Sequence, residues 1–153
     1  MSTRDTGEPP PRPGPSLYHL LKHAQMRLSE LTAPALEPFG INGRQCAVLA
    51  AIDQQTPSSQ HEISERMRVD RTTMVTLVDE LEAKGLAERR PDPRDRRKNV
   101  VALTEAGRRT LRDALEAAAE AERRFLGPLT GEEAARFREA LLATAFPAPL
   151  TAG

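Results

Sequence analysis

The spacing of apolar residues between positions 59 and 103 changes partway along from a helical period to that of β-strands. Between 70 and 84 they recur at a helical period and share one face of a predicted helix: Met74, Leu77, Val78 and Leu81. After Gly85, two short β-prone runs, LAER and NVVAL, flank a loop rich in proline and arginine, which is typical of a β-hairpin. The sequence therefore predicts a helix followed directly by a two-stranded hairpin.

Side chains that can cap backbone N–H groups predict where the other helices begin. The predicted N-caps are Ser16, Asn42, Ser59, Asp70, Thr104 and Thr130. Pro34, Pro38 and Gly40 are predicted to close the first helix, and Gly127-Pro128 the fifth. The resulting order is α-α-α-α-β-β-α-α, a mainly α fold with a small β-hairpin.

Composition excludes several classes of protein. The longest apolar run, Cys46 to Ile52, is too short to span a membrane, and the Pro-rich N-terminus lacks the hydrophobic segment of a secretory signal. A single cysteine excludes an internal disulfide. We therefore expect a cytoplasmic protein without a membrane partner or a cofactor, with disordered tails at residues 1–15 and 147–153.

Charge is concentrated in the hairpin loop. The chain is neutral overall, with 22 Lys and Arg against 22 Asp and Glu, yet residues 89–98 hold six basic and two acidic residues. Two short helices joined by a tight turn and followed by a basic hairpin are typical of a winged helix-turn-helix, in which the second helix enters the DNA major groove. The residues predicted to bind DNA are Arg71, Thr72, Thr73 and Thr76 on that helix, and Arg94, Arg96, Arg97 and Lys98 in the wing.

The segment SQHEISERMRVDRTTMVTLVDELEAKGLAERRPDPRDRRKNVVALTEAGRRTL also closely resembles the MarR-type (multiple antibiotic resistance regulator) transcriptional regulators. Asp95-x-Arg97 matches the family's wing motif, and LTEAG matches the start of its long fifth helix. The resemblance implies a homodimer that binds a pseudo-palindromic operator in double-stranded DNA, usually as a repressor released by a small-molecule effector. It also implies that Asp95 forms a salt bridge with Arg97 that orients the wing.

With the resemblance, the predicted order divides into two functional parts. Residues 16–40 and 104–146 are predicted to form the dimerisation helices, because the family interleaves its first, fifth and sixth helices. Residues 41–103 are predicted to form the winged helix-turn-helix.

Other functions remain as alternatives. His19 and His23 have the i, i+4 spacing of metal ligands but lack Cys or carboxylate partners, so we expect no metal site. Cys46 lies within an apolar run, where a buried thiol is unreactive, although a redox- or metal-sensing regulator of the same fold remains an alternative. A protein-interaction module without DNA binding is a further one. Nothing in the sequence matches a catalytic arrangement, so an enzyme is not expected.

Overall fold

The computed structural model describes residues 14–148, and within this range the elements follow the predicted order. The six helices are α1 (Leu17–Leu36), α2 (Gly43–Ile52), α3 (Gln60–Met67), α4 (Arg71–Ala83), α5 (Glu105–Phe125) and α6 (Gly131–Ala145). The two strands are β1 (Ala87–Pro91) and β2 (Asn99–Leu103). The predicted mainly α fold with one hairpin is confirmed. Apart from residues 14–15 and 147–148, the two predicted tails lie outside the described residues.

Each of the six described helices begins at the side chain that the sequence predicts as its cap. Asp70, for example, accepts a hydrogen bond from the backbone N–H of Thr73 at 2.9 Å. Asn42, Ser59 and Thr130 form complete capping boxes, in which the third helical residue also accepts from the N-cap backbone. Such caps satisfy N–H groups that have no partner inside the helix, so these starts are determined locally.

The first helix ends within the predicted segment from Pro34 to Gly40, since α1 continues through Pro34 and stops at Leu36, two residues before Pro38. Proline cannot donate to the carbonyl four residues earlier, but in the exposed last turn water can hydrate that carbonyl. A 3-10 turn at Glu37–Phe39 follows, and Gly40 ends it with a left-handed φ of 69°. The chain then turns into α2.

The hairpin is antiparallel, with Ala87 opposite Leu103 and Pro91 opposite Asn99. On its other side, β2 receives an extra bridge, because the Val101 N–H donates to the Ser58 carbonyl at 3.0 Å. The hairpin is therefore tied to the loop that precedes α3. The base of the wing is held by this contact, whereas residues 92–98 form the tip beyond the two strands.

The core joins α2, α3, α4, the hairpin and the first half of α5. Its largest fully buried side chains include Leu49, Ile63, Met74 and Leu81. Gly107 at the start of α5 lies so close to the hairpin that an added Cβ would meet the Leu86 carbonyl oxygen at 1.9 Å. Glycine at this position is what allows α5 to pack against the hairpin.

The long helices leave apolar surface uncovered. α1 packs along α5, but Leu17, Tyr18 and Leu20 are at least half exposed. α6 buries none of its residues, and beyond its C-terminus the Phe146 side chain is also exposed. Among the described residues, no helix combines the length and apolar character needed to cross a membrane.

Candidate nucleic-acid interface

Helix α4 separates its apolar and polar residues onto opposite faces. Met74, Leu77, Val78 and Leu81 are buried, as the sequence predicts. Arg71, Thr72 and Thr76 are exposed on the other side. The start of α4 therefore presents a cation and two small β-branched side chains to solvent, which is a surface that can approach the edges of base pairs closely.

The three threonines of α4 have different hydrogen bonds. The Thr73 hydroxyl donates to the Asp70 carboxylate at 2.6 Å, and this bond, together with the backbone N–H of Thr73, lowers the pKa of Asp70. The Thr76 hydroxyl donates to the Thr72 carbonyl at 3.2 Å. Within residues 14–148 the Thr72 hydroxyl has no partner, so it is the one most available to an external ligand. Thr73 instead belongs to the helix cap.

The wing tip projects Arg97 into solvent. Its side chain is 91% exposed, and its Nε donates to the Asp95 carboxylate at 3.2 Å, which is the ion pair implied by the family motif. Two backbone bonds shape the tip: the Lys98 N–H donates to the Asp95 carbonyl, and the Asp92 N–H donates to the Lys98 carbonyl. Arg96 and Lys98 are also exposed. Three cations thus lie close together at the end of the hairpin.

Arg94, which the sequence groups with these cations, is bound to the protein itself. Its guanidinium donates to the buried Asp92 carboxylate at 3.2 and 3.3 Å and to the Pro57 carbonyl at 3.2 Å. The hydrogen bonds from the Arg94 side chain and backbone lower the pKa of Asp92. Arg94 therefore fastens the wing to the loop before α3. Sequence reasoning missed Asp92, although an Asp before proline and two residues before an N–H donor is a turn signal.

Arg89 joins the base of the wing to both helices of the helix-turn-helix. Its guanidinium pairs with Asp79 at 2.7 Å and with Glu82, both on α4, and it donates to Gln60 on α3 at 2.9 Å. The side chain is 27% exposed, so this network is partly shielded from solvent. It holds the first strand of the wing against the C-terminal half of α4.

A concave surface lies between the starts of α3 and α4 and the wing. A cavity of about 290 Å³ there is lined by Ser59, Gln60, His61, Ser64, Arg71, Met74 and Asn99. Sequence reasoning did not select His61 and Asn99, because only the fold brings them beside Arg71. This cavity therefore joins the start of α4 to the base of β2, and a neighbouring one that shares Ser59, His61 and Asn99 extends to Asp95 and Lys98 in the wing tip.

The candidate sensor residues lie apart from this surface. His19 and His23 are exposed on α1 with ring centroids 4.3 Å apart, and no cluster of three His, Cys, Asp or Glu suited to a metal ion occurs within residues 14–148. Cys46 is buried in the core, and this burial raises the pKa of its thiol. A thiol in such surroundings packs as a small apolar side chain.

Comparison with known proteins places this geometry in a family. The MarR family model matches residues 39–98. The HTH-type transcriptional repressor NicR of Pseudomonas putida is 34% identical over 115 residues, covering 75% of this chain and 73% of the relative. CouR from Rhodococcus jostii, solved bound to p-coumaroyl-CoA, is similar with a TM-score of 0.77 and 33% identity, covering 87% of this chain and 94% of that one.

A mutant of Escherichia coli MarR, solved in complex with operator DNA, is similar with a TM-score of 0.76 and 26% identity over 86% of this chain and 94% of that one. The sequence similarity to NicR extends over about three quarters of both chains, and the two structures share the fold over most of their length. This chain belongs to the MarR family of transcriptional regulators.

Proposed function

We propose that the protein is a homodimeric repressor that binds a pseudo-palindromic operator through α4 in the major groove and the wing in the adjacent minor groove. The observation that carries this proposal is that the exposed start of α4 and a hairpin tip with three exposed cations flank the same concave surface before α3. A narrow minor groove has an enhanced negative potential that attracts arginine, and Arg97 is the most exposed of the wing's ion-paired arginines.

The proposed DNA contacts follow from the environment of each side chain. Arg71, Thr72 and Thr76 are assigned to the major groove, and Arg96, Arg97 and Lys98 to the minor groove and its phosphates. Asp95 is assigned to the orientation of Arg97. Thr73 and Arg94, which the sequence also selects, are assigned internal roles in the cap and in the wing.

The proposed dimer covers the apolar surface of the long helices. Leu17, Leu20 and Leu21 on α1 and Leu142 on α6 are exposed in the single chain. A cavity of about 510 Å³ between α1, α5 and α6 is lined by Leu28, Phe125, Phe137 and their neighbours. Contiguous apolar surface of this kind is typical of protein interfaces, so we assign residues 16–40 and 104–146 to dimerisation and 41–103 to DNA binding.

The proposed repressor is released by a small organic molecule. CouR, which was solved bound to p-coumaroyl-CoA, supports ligand control for a chain with this fold. Because DNA is the proposed partner, we also propose that the protein acts in the cytoplasm.

Two measurements test the proposed function. Sedimentation of the purified protein is expected to give a dimer of the 16.8-kDa chain, and selection from randomised duplexes is expected to recover two inverted half-sites. A stable monomer, or selected sequences without any inverted repeat, would contradict it. Recovery of no duplex, together with capture by an acidic peptide surface, would favour the protein-interaction alternative.

A further inference from the structure

The C-terminal end of α4 is bound to the joint between α1 and α2. Lys84, the last residue before the turn at Gly85, donates from its Nζ to the Gly40 carbonyl at 2.6 Å and to the Gln45 Oε1 at 3.0 Å. Gly40 is the residue at which the chain leaves α1 and its 3-10 turn. One ammonium group therefore connects the helix proposed to read DNA to the end of the helix proposed to dimerise.

Gln45 lies at the centre of this joint and is only 4% exposed. Its Nε2 donates to the Glu80 carboxylate on α4 at 2.8 Å, and its Oε1 accepts from the Asn42 N–H as well as from Lys84. Because the Gln45 amide is buried, loss of Glu80 would leave its Nε2 without a partner and loss of Lys84 would leave its Oε1 with the Asn42 N–H alone, whereas Lys84 and Glu80 themselves are exposed to water. We call Lys84, Gln45 and Glu80 the α4 latch.

The latch lies at the opposite end of α4 from the proposed DNA contacts, so a rotation at the latch displaces those contacts. α4 has 13 residues and is about 20 Å long, with Lys84 at one end and Arg71 at the other. A rotation of about 10° about the latch displaces Arg71 by about 3.5 Å, which is close to the 3.4 Å rise of one base pair. A small change in the angle of α4 at the latch therefore moves its DNA-facing residues by about the rise of one base pair.

We infer that Lys84 is a positioning residue that fixes the angle of α4 against α1 and thereby sets the spacing between half-sites that the dimer accepts. The inference rests on the proposed function, since it needs two copies of α4 held by one dimer. Lys84 itself touches no DNA in this arrangement, because it lies at the opposite end of α4 from Arg71. Lys84 is therefore expected to affect which distance between half-sites the dimer can bind, and not which bases it recognises within each half-site.

The test uses the full chain and a series of duplexes. The two half-sites selected by the wild-type protein are kept, and one or two base pairs are inserted or deleted at the centre. Binding is measured for wild type, Lys84→Met and Lys84→Arg. Methionine keeps much of the apolar stem but removes the ammonium, and arginine is the matched control because it keeps cationic donors at the same position.

We expect wild type to lose at least about tenfold in affinity for each base pair of altered spacing, since half-sites must align with the two recognition helices. Lys84→Met is expected to reduce this penalty to about threefold or less and to weaken binding at the best spacing, because a joint without its restraint samples more angles. Lys84→Arg is expected to keep most of the wild-type profile.

Two results would overturn the inference while leaving the proposed function intact. One is a Lys84→Met profile that matches wild type, and the other is a uniform loss at every spacing with the penalties unchanged. Wild-type protein that binds paired half-sites no better than a single one would instead overturn the proposed dimeric function, and the role of Lys84 with it. Melting curves recorded in parallel confirm that each variant is folded.

Discussion

Replacing Arg97 by alanine gives the sharpest test of the wing as a DNA contact. The side chain is 91% exposed and its one ion pair, to Asp95, lies at the surface. Exposed pairs of this kind contribute less than about 1 kcal/mol, so the melting temperature is expected to fall by less than about 3 °C. Folding and dimerisation are therefore expected to survive the substitution.

The expected loss on DNA is much larger because the dimer carries the arginine twice. A loss of about 1–2 kcal/mol per copy gives about 2–4 kcal/mol, or roughly 30- to 1000-fold in Kd. Each lost cation also releases about one counterion fewer, so the slope of log K against log salt is expected to be shallower by about 2.

The assay is a binding titration at three salt concentrations, with the labelled DNA kept below the wild-type Kd while the protein concentration is varied across it. Arg109→Ala is the matched control: Arg109 is also an exposed arginine in a surface ion pair, with Glu105 at 3.7 Å, but it lies on α5. It is expected to bind within about twofold of wild type. If Arg97→Ala matches this control at all three salt concentrations, the wing does not enter the minor groove.

Three further substitutions separate the roles of neighbouring side chains. Thr72→Ala is expected to change base preference by about 1 kcal/mol per half-site, measured by repeating the duplex selection, because its hydroxyl is free to reach base edges; an equal loss for all sequences would indicate a phosphate contact. Arg94→Ala is expected to lower the melting temperature more than Arg97→Ala at pH 7. Folding lowers the pKa of Asp92, so the stabilisation from its pairing with Arg94 is present above the pKa of the unfolded chain and is lost in acid. The melting temperatures of the two variants should therefore become equal as the pH falls below about 4. Equal melting temperatures at pH 7 would exclude the internal role of Arg94. Cys46→Ala is expected to cost about 1–2 kcal/mol of unfolding free energy, measured by denaturant titration, while DNA binding by wild type is unaffected by peroxide; release of DNA by peroxide in wild type but not in the variant would contradict the core assignment.

Local chemistry explains which parts of the fold could be predicted from the sequence. Every N-cap in the described range pairs with a backbone group three residues away, so the six helix starts are encoded within single turns. The apolar face of α4 is encoded in the same way by its period. The sequence predicts the segment in which α1 ends but not its last residue, because whether Pro34 or Pro38 stops the helix depends on the exposure of the carbonyl that each proline leaves unbonded.

The internal contacts of the wing could not be predicted because they join distant parts of the chain. Arg94 donates to the carbonyl of Pro57, 37 residues earlier, and Arg89 to Gln60, 29 residues earlier. In sequence, Arg94 and Arg97 are equivalent members of one basic cluster. Only the folded chain distinguishes the arginine that holds the wing from the arginine that is free to meet DNA.

The way α5 begins has a consequence for cutting and recombining this protein. Leu111 and Ala114 lie in the same core as α2, α3 and α4, and Gly107 rests directly on the Leu86 carbonyl. A fragment that stops at Leu103 would lose these buried side chains and expose the apolar surface beneath them, so we expect it to be a poorly folded, aggregating piece. A hybrid regulator that joins this DNA-binding part to the dimerisation helices of another protein should therefore have its junction beyond Ala118. The junction then lies within α5, which continues as one helix to Phe125.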